Sequence, residues 1–137
     1  MKTVEYKPEN RWVAEVECAS CAEKVFAWTS SGMSECYPHF FCECCSNVYL
    51  YQGGKSEILQ TNPTPQLVGQ LEAQLPGCPC GGSFKPGANP KCPHCGHAFE
   101  HQRDAVERLS DPHMIVMDRA CVYSDKAEPY KVIIKST

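Results

Sequence analysis

Eight of the eleven cysteines in this 137-residue chain stand in four close pairs: Cys18/Cys21, Cys42/Cys45, Cys78/Cys80 and Cys92/Cys95. Two residues between cysteines let one tight turn aim both sulfurs at one point. Two such turns supply four thiolates, the set that tetrahedral zinc takes at about 2.3 Å per bond. A disulfide framework is the competing use of so many cysteines, and it belongs to secreted chains. Eleven is an odd number, so complete pairing is excluded. The opening stretch MKTVEYKPENRW has no apolar core of a secretory signal. No run approaches the ~18 apolar residues that a membrane span needs. The expectation is a protein of a reducing, cytoplasmic compartment with thiolates available to metal.

Taken in chain order, the pairs predict two sites. The first joins Cys18 and Cys21, across twenty residues, to Cys42-Glu-Cys44-Cys45. Cys42 with Cys45 reproduces the two-residue gap, which leaves Cys44 spare; Cys42 with Cys44 is the alternative. The second joins Cys78-Pro-Cys80-Gly-Gly, across eleven residues, to Cys92-Pro-His-Cys95-Gly. Glycines at 81, 82 and 96 allow the positive φ that such turns use, with amides free to face sulfur. The expected ligands are Cys18, Cys21, Cys42 and Cys45 for one zinc ion, and Cys78, Cys80, Cys92 and Cys95 for another. The one-residue gap at Cys78-x-Cys80 leaves His94 or His97 as substitutes. Four thiolates accept iron as well as zinc.

With CASC and CECCS, then CPCGG and CPHCG, both stretches resemble zinc ribbons, in which two metal-binding knuckles clamp a small β-sheet. The resemblance covers about half the chain. It implies a local fold, and it implies structural rather than catalytic zinc, because four protein sulfurs leave no position for water or substrate. It does not imply one activity.

Between the cysteines, hydrophobic patterning places the remaining elements. Residues 11–17 alternate as a strand, with Trp12, Ala14 and Val16 on one face, and 24–30 is aromatic and β-branched. Further strands are expected at 39–42, 47–52 and 55–59. Residues 60–65 read as a linker, with Thr64 capping a helix that has Pro65 at its first position. That helix carries Leu67, Val68, Leu71 and Leu75 on one stripe and stops at Pro76-Gly77. Phe99, Val106 and Leu109 suggest a second helix over 99–109. Of the apolar runs at 114–117, 120–123 and 132–134, the last two suit a terminal hairpin around the polar stretch 124–129. The predicted fold is a small α+β protein: an N-terminal zinc ribbon over 1–59, a linker and short helix over 60–77, a second ribbon over 78–98, and a helix plus β-hairpin over 99–137. Neither ribbon has much core alone, so packing as one unit is expected.

Several residues lie outside this scheme. Cys36, Cys44 and Cys121 read as small buried side chains; the sharper reading of Cys44 is a redox switch that captures a ligand sulfur. His94, His97 and His101 read as surface residues, although a helix through Gly96 would bring His97 and His101 together. His39 reads as packing. The aromatics Trp12, Phe26, Trp28, Tyr37, Phe40, Phe41, Tyr49 and Tyr51 either fill a thin core or stack bases. Lysine and arginine are nearly absent between residues 25 and 54, and Glu15, Glu17, Glu23, Glu35 and Glu43 would repel phosphate, which favours the core.

No nucleophile elbow, phosphate loop or dinucleotide fingerprint is present, so no enzyme is expected. The formal charge of −3 has no basic run to track phosphates. In size, charge and lack of a catalytic constellation the chain resembles bacterial immunity proteins. That resemblance implies a protein partner, a basic toxin domain, covered by a rigid acidic surface. The alternative is a nucleic-acid-binding ribbon protein, associated with transcription or RNA handling, using Lys85, Lys91, His94 and Arg103. A third reading is a zinc-dependent enzyme or redox sensor. No membrane contact is expected.

Overall fold

A computed structural model describes residues 1–7, 11–30, 39–52, 65–99 and 121–135. It is mostly β, with two sheets and, among the described residues, one short helix. The strands are β1 (Lys2–Tyr6), β2 (Arg11–Glu17), β3 (Lys24–Ser30), β4 (His39–Cys42), β5 (Val48–Leu50), β6 (Phe84–Lys85), β7 (Cys121–Ser124) and β8 (Tyr130–Ile134). The helix, α1, spans Pro65–Glu72.

The larger sheet has the order β1-β8-β5-β4-β6 and the smaller β2-β3-β7. All pairings are antiparallel except β5 with β8, where Tyr49 stands opposite Ile133. The two ends of the chain meet in β1 and β8, from Lys2↔Ile134 to Tyr6↔Tyr130. Strand β1 is absent from the sequence reading, although Val4 and Tyr6 alternate with exposed Thr3 and Glu5 and pack on the larger core.

Strand β3 explains how the sheets are layered. Its residues alternate between two apolar clusters. Trp28 joins the larger one and Phe26 packs against it, among Phe40, Phe41, Leu50, Phe84, Tyr130 and Val132. Val25 and Ala27 point the other way, into a smaller cluster with Cys18, Cys92, Phe99 and Tyr123. Strand β7 repeats the division in register: Val122, opposite Trp28, joins the larger cluster, and Tyr123, opposite Ala27, the smaller. A strand buried on both faces reads as a nearly continuous apolar run, as KVFAW does. Val16 on β2 packs on the smaller cluster; the side chains of Trp12 and Ala14 lie outside the described residues.

The aromatics are mostly core. Trp28, Phe40, Phe41 and Tyr49 are buried, and Phe26 and Tyr51 pack partly buried against them. Tyr37 falls outside the described residues. His39 is buried, its Nε2 2.7 Å from the Tyr130 hydroxyl, with the Trp28 ring edge-on to Tyr130.

Two expectations need correction. Strands β7 and β8 do not form a hairpin, because β7 pairs with β3 and β8 with β1 and β5. Turn residues predict a reversal of the chain but not the neighbour of each strand, and residues 125–129 carry the chain from one sheet to the other. Helix α1 starts at Pro65 as predicted, but it tightens after Glu72 into bonds from Gln74 N to Leu71 O and Leu75 N to Glu72 O. Leu71 is buried, and Leu75 packs at the edge of the larger core. Gly96 has a φ of +80° and no helix passes through it, and His97 is exposed as expected; His101 lies outside the described residues. Residues 100–109 of the expected second helix, the strand at 55–59, Thr64 and the linker lie outside the described residues.

Candidate metal centres

Each cysteine pair occupies the tip of a hairpin. Cys18–Glu23 turns β2 into β3, closed by Cys18 N to Glu23 O at 2.9 Å and Ala22 N to Cys18 O at 2.8 Å. Cys92 repeats this pattern, with Cys92 N to His97 O at 2.8 Å and Gly96 N to Cys92 O at 2.9 Å, above a bridge between Lys91 and Ala98. The residue four after the first cysteine has positive φ in both: +62° at Ala22, +80° at Gly96. Cys42–Asn47 turns β4 into β5, closed by Cys42 N to Asn47 O at 3.1 Å. The fourth tip is one residue shorter. Cys78 N bonds Gly82 O, Gly81 N bonds Cys78 O, and the positive φ moves to Gly81, at +99°. This contraction is why the pair is spaced C-x-C, and it places Cys78 and Cys80 as a normal pair without histidine substitutes.

The pairs combine in a nested order, not in sequence order. Cys18, Cys21, Cys92 and Cys95 form one group, and Cys42, Cys45, Cys78 and Cys80 the other, with the sulfurs of each group within 4.8 Å of one another. The expected partnership of Cys18/Cys21 with Cys42/Cys45, and of Cys78/Cys80 with Cys92/Cys95, is therefore corrected. A two-residue gap makes a pair but cannot choose its partner. The sheets choose it. Strand β6 places Phe84 opposite Cys42, so the Cys78 tip meets the Cys42 tip. The Cys92 tip lies on the far face of the smaller sheet, where the Cys18 tip stands. His94, His97 and His39 join neither group.

The spacings suit a tetrahedral ion. Four sulfurs about 2.3 Å from one ion stand about 3.8 Å apart. The separations are 3.7 Å for Cys18–Cys95, 3.9 Å for Cys21–Cys92, and 3.6 Å for both Cys42–Cys80 and Cys45–Cys78. No disulfide is present among these cysteines. The two groups are consistent with two metal ions. In each pair the first cysteine is buried and the second is half-buried or exposed.

Amides surround the sulfurs. Cys44 N donates to Cys42 Sγ at 3.3 Å, Asn47 N to Cys45 Sγ at 3.4 Å, Gly82 N to Cys80 Sγ at 3.4 Å and His94 N to Cys92 Sγ at 3.4 Å. Asn47 Nδ2 adds a bond to Cys78 Sγ at 3.2 Å. Such bonds orient ligands and offset thiolate charge.

The thiols respond unequally. Burial opposes ionisation of Cys18, but the amides of Cys21 and Ser20 and the thiols of Cys95 and Cys21 outweigh it and lower its pKa to about 6. The Gly82 amide foremost, then the thiols of Cys78 and Cys45, lower Cys80 to about 7. At Cys21 the Glu23 amide favours the thiolate, yet burial and the thiols of Cys95, Cys18 and Cys92 push the pKa up to about 12. Burial above all raises Cys45, Cys78 and Cys92. Four sulfurs this close resist joint ionisation, and a dication relieves that repulsion.

Two of the basic residues considered for phosphate contact are engaged internally. Lys91 Nζ donates to the carbonyls of Cys42, at 2.6 Å, and Asn89, at 3.0 Å. Lys91 thereby ties the base of the Cys92 hairpin to the other group. The His94 ring Nε2 lies 3.3 Å from the Lys24 carbonyl. Lys85 sits on β6, and Arg103 lies outside the described residues. Cys44 is exposed, not buried as expected; Cys36 and the side chain of Cys121 are outside the described residues. No described helix is long and apolar enough to cross a membrane.

A family model described as a domain of unknown function (DUF8255) matches residues 14–101. That span contains all eight clustered cysteines. No curated protein and no solved structure matches the chain.

Proposed function

We propose, from the premise that the chain belongs to the DUF8255 family, that it is a non-enzymatic module in which two structural zinc ions hold a protein-binding surface rigid. The observation that carries this reading is that each group is closed: four sulfurs at tetrahedral spacing, joining hairpin tips far apart in sequence. A closed site has no open position for substrate, and its metal contributes folding energy instead. The smaller core needs that energy, since its six described buried members include two of the cysteines themselves.

The partner we favour is a basic protein. Glu15, Glu17, Glu23 and Glu43 are exposed, and a net charge of −3 favours encounter with a positive surface. The specific form we propose is an immunity protein that covers a toxin's active site. Native mass spectrometry of the tagged protein taken gently from its host tests this. Two zinc masses and one stoichiometric protein, with an association rate that falls with salt, are expected. Co-purifying nucleic acid would replace the reading with the nucleic-acid one, against which the internal bonds of Lys91 and His94 already weigh.

A further inference from the structure

The two sulfur groups match closely. Each joins two hairpin tips, each has the same order of burial, and their sulfurs are similarly spaced. They differ at the residue two past the first cysteine. In the Cys18 group those positions hold Ser20 and His94, and the His94 ring turns to the Lys24 carbonyl. In the other group the residue two past Cys78 is the ligand Cys80 itself, and the residue two past Cys42 is Cys44, a fifth sulfur.

Cys44 is exposed, and its amide donates to Cys42 Sγ at 3.3 Å. Its side chain also shares a notch with that same ligand. A Cβ at Gly82 would lie 2.8 Å from Cys44 Sγ, 3.0 Å from Cys44 Cβ and 3.2 Å from Cys42 Sγ. Both sulfurs thus flank the bare Cα of Gly82, on the Cys78 tip that completes the group.

We propose that Cys44 is an exchangeable fifth ligand that replaces Cys42, making the Cys42/Cys45/Cys78/Cys80 site the one that trades zinc with thiolate-bearing acceptors. This rests on the zinc reading above. Exchange from a closed tetrahedral site requires one ligand to leave. A thiol on the same short loop is present at high effective concentration and takes the vacated position, so four sulfurs are kept. Cys44 gives up its proton as its sulfur binds zinc, and the displaced Cys42 thiolate takes one up; no electrons change hands. The exposed edge lets an outside thiolate intercept the ion during the swap. Among the described residues the Cys18 group has no such ligand, and it holds its ion as a fixture.

Zinc counts by native mass spectrometry on the full chain test the swap. Wild type is expected to carry two zincs, Cys92→Ser one, Cys42→Ser two, and the double variant Cys42→Ser/Cys44→Ser one. A wild-type count of two with only one in Cys42→Ser would overturn the proposal and leave the zinc reading standing. Wild type without metal would overturn both. A second measurement needs no ligand variant. With excess chelator and pulses of N-ethylmaleimide, cysteines 42, 45, 78 and 80 should label several-fold sooner than 18, 21, 92 and 95. Cys44→Ser should remove most of that lead; equal rates in wild type, or a lead unchanged by Cys44→Ser, would overturn the proposal.

Discussion

The two metal groups are alike in chemistry and unlike in support. Among the described residues, the Cys42 group is rooted in a cluster of thirteen buried residues that spans both sheets and includes its ligands Cys42 and Cys78. The Cys18 group is rooted in six described residues, two of which are also its own ligands. Among the described residues, Val25, Ala27, Phe99 and Tyr123 remain there as ordinary core, with Phe99 stacked on Tyr123 at 3.8 Å between ring centroids. The same four sulfurs are therefore a reinforcement at one end and the main fastening at the other. A small apolar cluster cannot offset the cost of ordering a long loop, and a metal that ties residue 21 to residue 92 can.

Ligand loss should show the largest difference. Structural zinc contributes on the order of 10 kcal/mol of folding free energy. Cys92→Ala should abolish protection of amides in residues 91–98 and β2–β3, measured by hydrogen exchange. Cys78→Ala should expose residues 77–85 and β4–β6 while the Cys18 group keeps its metal. Equal loss across both sheets in both variants would break the contrast.

Packing comes next. Phe99→Ala should cost about 3 to 5 kcal/mol by denaturant unfolding, concentrated at the Cys18 end. Gly82→Ala should act at the other end alone, because the added carbon meets the sulfurs of Cys44 and Cys42. Its signature is one weakened zinc of two in a chelator titration.

Acid separates the groups by a smaller margin. Cys80 and Cys18 have pKa values lowered to about 7 and about 6, below the ordinary 9.0. The stability these thiolates add is complete above about pH 9 and is lost as pH falls through those values. The raised thiols, Cys21 and Cys45 among them, act oppositely: metal-free protein loses stability as pH rises past 9.0, where the unfolded chain ionises first. In metal-free protein this dependence falls to Cys80 and Cys45, at the end that keeps its larger apolar core, and chemical unfolding between pH 5 and 10, followed by circular dichroism, should trace a maximum at about pH 9. Stability constant across that range would contradict the thiol assignments.

The smallest effects concern the turns. Ala22 holds a positive φ where the matching turn has Gly96. Ala22→Gly should stabilise by about 1 kcal/mol, and Gly96→Ala should destabilise by about as much. The exposed Lys24–Glu15 pair, 3.1 Å apart, should contribute less than about 0.5 kcal/mol.

Local features were legible in the sequence because they are set by local physics. Positive φ at Gly81 and Gly96 (though not at Gly82, where it was also expected), two-residue cysteine gaps and the apolar run of β3 each depend on a few neighbouring residues. Partner choice was not legible. It follows from β6 lying beside β4 and from the Cys92 tip crossing to the far face of the smaller sheet, and both are long-range arrangements. The same holds at the chain ends: Val132 and Ile133 looked like half of a local hairpin, yet their strand lies between β1 and β5. Cys44 shows a further gap between the two readings. Composition suggested a small buried residue, but its place two past Cys42 and against Gly82 leaves it exposed at the rim.

The nested pairing is the claim on which the rest depends, and one labelling experiment tests it. In Cys95→Ser, loaded with zinc, each remaining cysteine is alkylated and assigned by peptide mass spectrometry. Cys18, Cys21 and Cys92 should become reactive together while Cys42, Cys45, Cys78 and Cys80 stay protected. Reactive Cys78 and Cys80 beside protected Cys18 and Cys21 would contradict the account and restore two sites in sequence order.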